Sequence, residues 1–131
     1  MRISDVLADK GSDVLSASPE TTVLDAVHKL VEHNVGALAV VDAGGKLVGI
    51  FSERDVLRLV ARGPLGLGAI RLSDCMVRKV YFARSTDAID EALLLMNTQR
   101  VRHLPVMDQE ALIGLVSQGD LVKARTRQPW S

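Results

Sequence analysis

The chain is written twice. Arg2-Ile3-Ser4-Asp5-Val6-Leu7 returns as Arg71-Leu72-Ser73-Asp74-Cys75-Met76. Thr22-Val23-Leu24-Asp25-Ala26-Val27 returns as Ala88-Ile89-Asp90-Glu91-Ala92-Leu93. Val35-Gly36-Ala37-Leu38-Ala39-Val40-Val41-Asp42 returns as Val101-Arg102-His103-Leu104-Pro105-Val106-Met107-Asp108. Gly49-Ile50-Phe51-Ser52-Glu53-Arg54-Asp55-Val56-Leu57-Arg58 returns as Gly114-Leu115-Val116-Ser117-Gln118-Gly119-Asp120-Leu121-Val122-Lys123. The offsets are 69, 66, 66 and 65, shrinking only where loops are expected. Four blocks in one order define a duplicated unit.

Each unit holds about 60 residues, a size whose core alone rarely supplies more than about 3–5 kcal/mol. The single cysteine, Cys75, offers no internal disulfide to help. The two halves are therefore expected to fold together around a shared face, with pseudo-two-fold packing. The boundaries read as repeat 1 over 1–62, a linker over 63–70, repeat 2 over 71–125 and a basic tail over 126–131. Arg62-Gly63-Pro64-Leu65-Gly66-Leu67-Gly68 breaks any helix and supplies the linker.

Each repeat reads β-α-β-β-α, an α/β (α+β) fold. Val23, Ala26, Val27, Leu30 and Val31 form a helical stripe, started by Pro19-Glu20-Thr21-Thr22. Ala37 to Val41 and Leu47 to Phe51 form a hairpin across Asp42-Ala43-Gly44-Gly45-Lys46. A second helix begins near Ser52. The later copy has a helix from about Asp87 to Gln99, a hairpin of Leu104 to Met107 with Leu112 to Val116, and a helix from about Ser117. Leading strands are expected at Val14-Leu15 and Val80-Tyr81-Phe82.

Charge and composition exclude several functions. Sixteen Lys+Arg balance 16 Asp+Glu, which argues against a general nucleic-acid binder. No apolar run approaches the roughly 18 residues of a membrane span. The N-terminus lacks a signal-peptide core. A cytoplasmic protein is expected, and one cysteine suits a reducing compartment. Three histidines and one cysteine, scattered along the chain, do not form a metal set. Ser117, His103 and Asp120 spell a nucleophilic triad on paper, but no nucleophile elbow accompanies them. No enzyme is expected.

The chemistry concentrates in Gly-φ-φ-Ser-x-x-Asp, where φ is apolar, present once per repeat where a strand enters a helix. Two readings stand side by side. Ser at N-cap with an acid at N3 is a helix cap that needs no ligand. Alternatively, helix N–H groups and the serine hydroxyl bind an anion, while the acid accepts from two ribose hydroxyls. On the second reading, Gly49 and Gly114 let a flat base approach the backbone, and Arg54 can pair with a phosphate. Arg102 and His103 have two readings as well: solvent-facing strand-end residues, or phosphate contacts.

These blocks resemble a tandem pair of cystathionine-β-synthase (CBS) domains, a Bateman module, from about Arg2 to Arg125. The marks are the Ser-Asp-Val-Leu and Ser-Asp-Cys-Met openings, Arg102-His103-Leu104-Pro105-Val106, and both Gly-φ-φ-Ser-x-x-Asp segments. The whole resembles stand-alone bacterial CBS-pair proteins. The resemblance implies a non-catalytic sensor that binds AMP, ADP, ATP, NAD or S-adenosylmethionine in clefts between the repeats. It makes Asp55 and Asp120 ribose acids, and Ser52 and Ser117 phosphate or ribose contacts. Thr21 becomes a ligand contact, weakened in the second copy by Asp87. Ala37 and His103 offer backbone to adenine, with Ile50 and Leu115 as apolar neighbours. The basic pair Arg102-His103 matches a phosphate-contacting pair in regulatory subunits of AMP-activated kinase. The implied partners are a nucleotide, a second copy of the chain and an effector protein in trans. The alternative is a structural dimerisation module whose Ser-x-x-Asp motifs only cap helices.

Overall fold

The structure is a computed structural model and describes residues 1–11, 13–63 and 66–127. Pro64 and Leu65 of the expected linker and residues 128–131 of the expected tail lie outside these. The architecture is mixed α/β. Among the described residues there are six α-helices and two three-stranded sheets. In chain order they are α1 (Ile3–Lys10), β1 (Ser16–Ala17), α2 (Val23–His33), β2 (Ala37–Val41), β3 (Leu47–Ser52) and α3 (Glu53–Ala61). Then come α4 (Leu72–Cys75), β4 (Ala83–Arg84), α5 (Ile89–Gln99), β5 (His103–Asp108), β6 (Ala111–Ser117) and α6 (Gln118–Thr126).

Each repeat thus reads α-β-α-β-β-α, with an opening helix the pattern did not predict. The opening blocks explain themselves once seen as helices. The Arg2 N–H donates to Asp5 Oδ2 (2.8 Å), and the Arg71 N–H to Asp74 Oδ2 (3.1 Å). Each Ser-Asp pair therefore places an N3 acid that holds its own helix start. The leading strands sit two to three residues later than expected. β1 pairs in parallel with β2 through Ser16↔Ala39 and Ala17↔Val40, and β4 with β5 through Ala83↔Val106 and Arg84↔Met107. Two-residue strands have little pattern of their own, so their partner sets the register.

The chain divides into two compact units that do not follow the repeat boundaries. One runs continuously from Leu15 to Val80; the other joins Met1–Val14 to the chain from Tyr81 onward. The opening helix of each repeat packs with the other repeat's sheet. In the continuous unit, Leu72 and Met76 share a core with Val23, Ala26, Leu30, Leu38, Val40 and Phe51. In the discontinuous unit, Ile3, Val6 and Leu7 share one with Ile89, Met96, Leu104, Val116 and Leu121. The helical stripe on α2 is narrower than its periodicity suggests: Val23, Ala26 and Leu30 are buried, while Val31 is 75% exposed.

The motif glycines have a different use from the one expected. A β-carbon on Gly49 would meet Met76 Sδ at 2.7 Å and the Val77 carbonyl oxygen at 3.0 Å. One on Gly114 would meet Leu7 Cδ2 at 2.6 Å. The space that the sequence offers to a flat base is filled by the opening segment of the other repeat. The same segments are anchored by their arginines: the Arg2 guanidinium donates to the Thr86 carbonyl (2.6 Å) and that of Arg71 to the Glu20 carbonyl (2.7 Å).

Candidate functional site

The strand-to-helix junctions carry the candidate residues, one set in each compact unit. At the first, Ala37 and Ser52 are register partners across β2 and β3. The Glu53 N–H, first in α3, donates to the Gly36 carbonyl (2.9 Å). The Ser52 N–H donates to Asp55 Oδ2 (2.9 Å), and the Ser52 hydroxyl donates to the same oxygen (3.3 Å). Asp55 is only 6% exposed, and Arg58 stands 3.7 Å from its other oxygen. Burying a carboxylate this far demands such donors.

The second junction repeats the plan. His103 and Ser117 are register partners across β5 and β6. The Gln118 N–H donates to the Arg102 carbonyl (2.8 Å). The Ser117 N–H donates to Asp120 Oδ2 (2.8 Å), and the Ser117 hydroxyl accepts from the Asp120 N–H (3.0 Å). Both junctions therefore make the capping bonds. They also consume helix N–H groups that the anion-site reading left open, since the first amide of each helix is spent on the residue before β2 or β5. A phosphate seated wholly on those amides does not fit; side-chain donors have to supply the rest.

The junctions differ in what lies over them. The Lys10 ammonium, at the end of α1, donates to Asp120 Oδ2 (2.8 Å) and to the Leu115 carbonyl (2.8 Å). Burial by itself raises the Asp120 carboxyl's pKa. Donation from Lys10 and from the Ser117 backbone outweighs burial and holds it below the ordinary aspartate value. At the first junction the Ile50 backbone is bridged to Val77, each N–H donating to the other's carbonyl (3.0 Å). Sequence reasoning missed Lys10, because nothing local ties position 10 to position 120.

The remaining candidates fall around these centres. Thr21 precedes α2; its hydroxyl lies 3.2 Å from that of Ser18, and its carbonyl accepts the Leu72 N–H (2.9 Å). Thr22, not Thr21, caps α2, accepting from the Asp25 N–H (3.2 Å). Asp87, at the Thr21 position, accepts from the Arg84 N–H (2.8 Å). Ala37 is buried, while Arg54 and Arg102 are exposed beside their junctions. His103 opens β5 half-buried. Ile50 and Leu115 are half-buried in β3 and β6. Cys75 packs beside the core of the continuous unit. Among the described residues no cluster of three or more potential metal ligands occurs, and no helix is long and apolar enough to cross a membrane.

A tandem repeat of α-β-α-β-β-α units with a Ser-x-x-Asp junction in each defines a class of paired modules, and comparison with known proteins gives that class its name. The CBS domain model matches residues 3–62 and 72–127, so the chain belongs to the CBS-domain family and carries two copies. It is 37% identical over 130 residues to the mitochondrial CBS domain-containing protein CBSX3 of Arabidopsis thaliana, covering 93% of this chain and 63% of that one. The chain thus spans somewhat under two thirds of that relative. The CBS-domain containing protein ATU1752 of Agrobacterium tumefaciens superposes with a TM-score of 0.91 at 34% identity, covering 95% of this chain and 99% of that one. The CBS domain pair of protein MJ0100, solved in complex with 5-methylthioadenosine and S-adenosylmethionine, shares the fold at a TM-score of 0.85 and 24% identity, covering 96% of each chain.

Proposed function

We propose that this chain is a regulatory module without catalytic activity of its own, and that it binds adenosine-containing ligands at the Ser52–Asp55 and Ser117–Asp120 junctions. AMP, ADP, ATP and NAD are the leading candidates. The observation that carries the reading is the repetition of one local geometry. Twice a serine ends a strand, an acid follows one turn into the helix, and a strand start lies opposite. A cap needs only one carboxylate oxygen. At Asp120 the bonds from Ser117 and Lys10 both fall on Oδ2, so a ribose bound there competes with Lys10 for the carboxylate. Arg54 follows Ser52 at the first junction, and His103 pairs in register with Ser117 at the second, with Arg102 beside it; on this reading these side chains meet the phosphate. The adenosine compounds bound by MJ0100 support the same ligand class for a chain of the same fold.

The output is a shift between conformations that bind the ligand with different affinity. It passes to a partner protein in trans. The module acts as a homodimer through exposed apolar side chains such as Leu57 and Val60 on α3. A reducing compartment such as the cytoplasm suits its free Cys75.

Calorimetry with AMP, ATP, NAD and S-adenosylmethionine tests this reading. Asp55→Ala and Asp120→Ala should each abolish one site. Asp55→Asn and Asp120→Asn keep a cap acceptor and should also lose binding. Absence of binding to the native chain at millimolar ligand overturns the reading. The structural-module alternative then stands: it is favoured by the capping bonds at both junctions, and it predicts that Asp55→Ala changes stability with no binding to lose.

A further inference from the structure

We infer that Lys10 sets the ligand preference of the Ser117–Asp120 site, selecting phosphorylated adenosine compounds over uncharged adenosine; the inference rests on the adenosine-ligand reading above. Lys10 ends α1, 105 residues from Leu115 and 110 from Asp120 along the chain, yet its ammonium bonds to both at 2.8 Å. One acceptor is the acid assigned to the ribose, and the other belongs to Leu115, the apolar neighbour assigned to the base. The ammonium therefore lies across the binding position, with the lysine side chain 36% exposed and that of Asp120 30% exposed.

A ribose that takes over Asp120 pulls an acceptor away from this ammonium. The ammonium then keeps only the neutral Leu115 carbonyl, and an anionic oxygen is the strongest replacement for the carboxylate it loses. A ligand phosphate supplies such oxygens; a nucleoside does not. The lysine thus opposes adenosine, whose binding disrupts the Lys10–Asp120 pair without compensation, and favours AMP, whose phosphate takes up the displaced charge. The surroundings agree in sign. Arg102 lies beside the junction, and the first two residues of α6, Gln118 and Gly119, carry no charge. At the first junction the Ile50 carbonyl accepts the Val77 N–H instead of an ammonium. The cation over Asp55 there is Arg58, on the same helix and 3.7 Å away. The preference is therefore specific to the second junction.

The test is calorimetric titration of the full chain with AMP and with adenosine, in the native protein, Lys10→Met and Lys10→Arg. Circular dichroism verifies that each variant is folded. The native chain should prefer AMP over adenosine at one site by about 10-fold or more, as expected for a charge-assisted hydrogen bond. Lys10→Met should reduce that preference to about 2–3-fold, weakening AMP and strengthening adenosine, while Lys10→Arg preserves it. An unchanged AMP-to-adenosine ratio in Lys10→Met overturns the role of Lys10 and leaves the nucleotide reading intact. Tighter AMP binding by Lys10→Met also overturns it, because the lysine would then be only a plug. Failure of the native chain to bind either compound overturns both readings together.

Discussion

Met76 Sδ occupies the position beside Gly49 where a side chain would begin, 2.7 Å from the site of an added β-carbon. The Val77 carbonyl oxygen closes the same space at 3.0 Å. Gly49→Ala must therefore move backbone as well as side chain, and should destabilise the protein by about 1–3 kcal/mol. For Gly114→Ala the three nearest atoms all belong to the Leu7 side chain, so it should cost less. Urea melts of the two variants check the order; equal or reversed costs would contradict this packing.

The Lys10–Asp120 pair predicts an acid dependence. Burial opposes ionisation of Asp120, but Lys10 and Ser117 together hold its carboxyl below the ordinary range. The pair therefore stabilises the fold above the usual aspartate value of about 4, and loses that contribution as pH falls through the lower folded value. The pair is partly exposed, so its share is about 0.5–1 kcal/mol. Lys10→Met should be less stable than the native chain at pH 7 and approach it as acid protonates Asp120, below the ordinary aspartate range. Thermal melts across this range measure the convergence; a constant gap would remove the electrostatic explanation.

Arg100 ends α5 in the left-handed region, with φ 56° and ψ 42°. Its counterpart Asn34 ends α2 with φ 52° and ψ 48°. In both, Cβ crowds the following carbonyl; the short polar side chain of asparagine can offset this by local hydrogen bonding, and only glycine lacks the Cβ. Arg100→Gly should raise stability by about 0.5–1 kcal/mol, net of glycine's greater freedom in the unfolded chain. A fall in the denaturation midpoint would show that the arginine side chain contributes more than its strain costs.

Cys75 should be a sluggish thiol. Burial pushes its pKa up, and the nearby charges of Asp55 and Asp74 push it further, with Arg62 opposing them. The thiolate is the reactive form, so labelling at pH 7 should run slower than that of free cysteine. A rate equal to free cysteine would place the sulfur in a different environment.

The alternation of strands and the 3.6-residue stripes made β2, β3, β5, β6 and the four longer repeat helices readable, since each rests on a local period. The Ser52 and Ser117 caps were equally local, separated from their acids by three residues. What could not be read is pairing at long range. Ile3, Val6 and Leu7 have helical spacing, but nothing in them says that their sheet lies a hundred residues away. For the same reason Gly49 and Gly114 looked like openings for a ligand, when Met76 and Leu7 lie against them. The first amides of α3 and α6 looked available until the Gly36 and Arg102 carbonyls were found beside them.

The exchange of opening helices also orders events on the ribosome. The unit from Leu15 to Val80 is one uninterrupted stretch, and can close its core once Val80 has emerged. Ile3, Val6 and Leu7 leave the tunnel ahead of that unit but bury after it, against Leu104, Val116 and Leu121. Until synthesis passes residue 121, the apolar face of α1 lacks some of the side chains it packs against in the folded chain. The helix α1 is made before its partners, and it delivers Lys10 to Asp120 only when the second junction is complete.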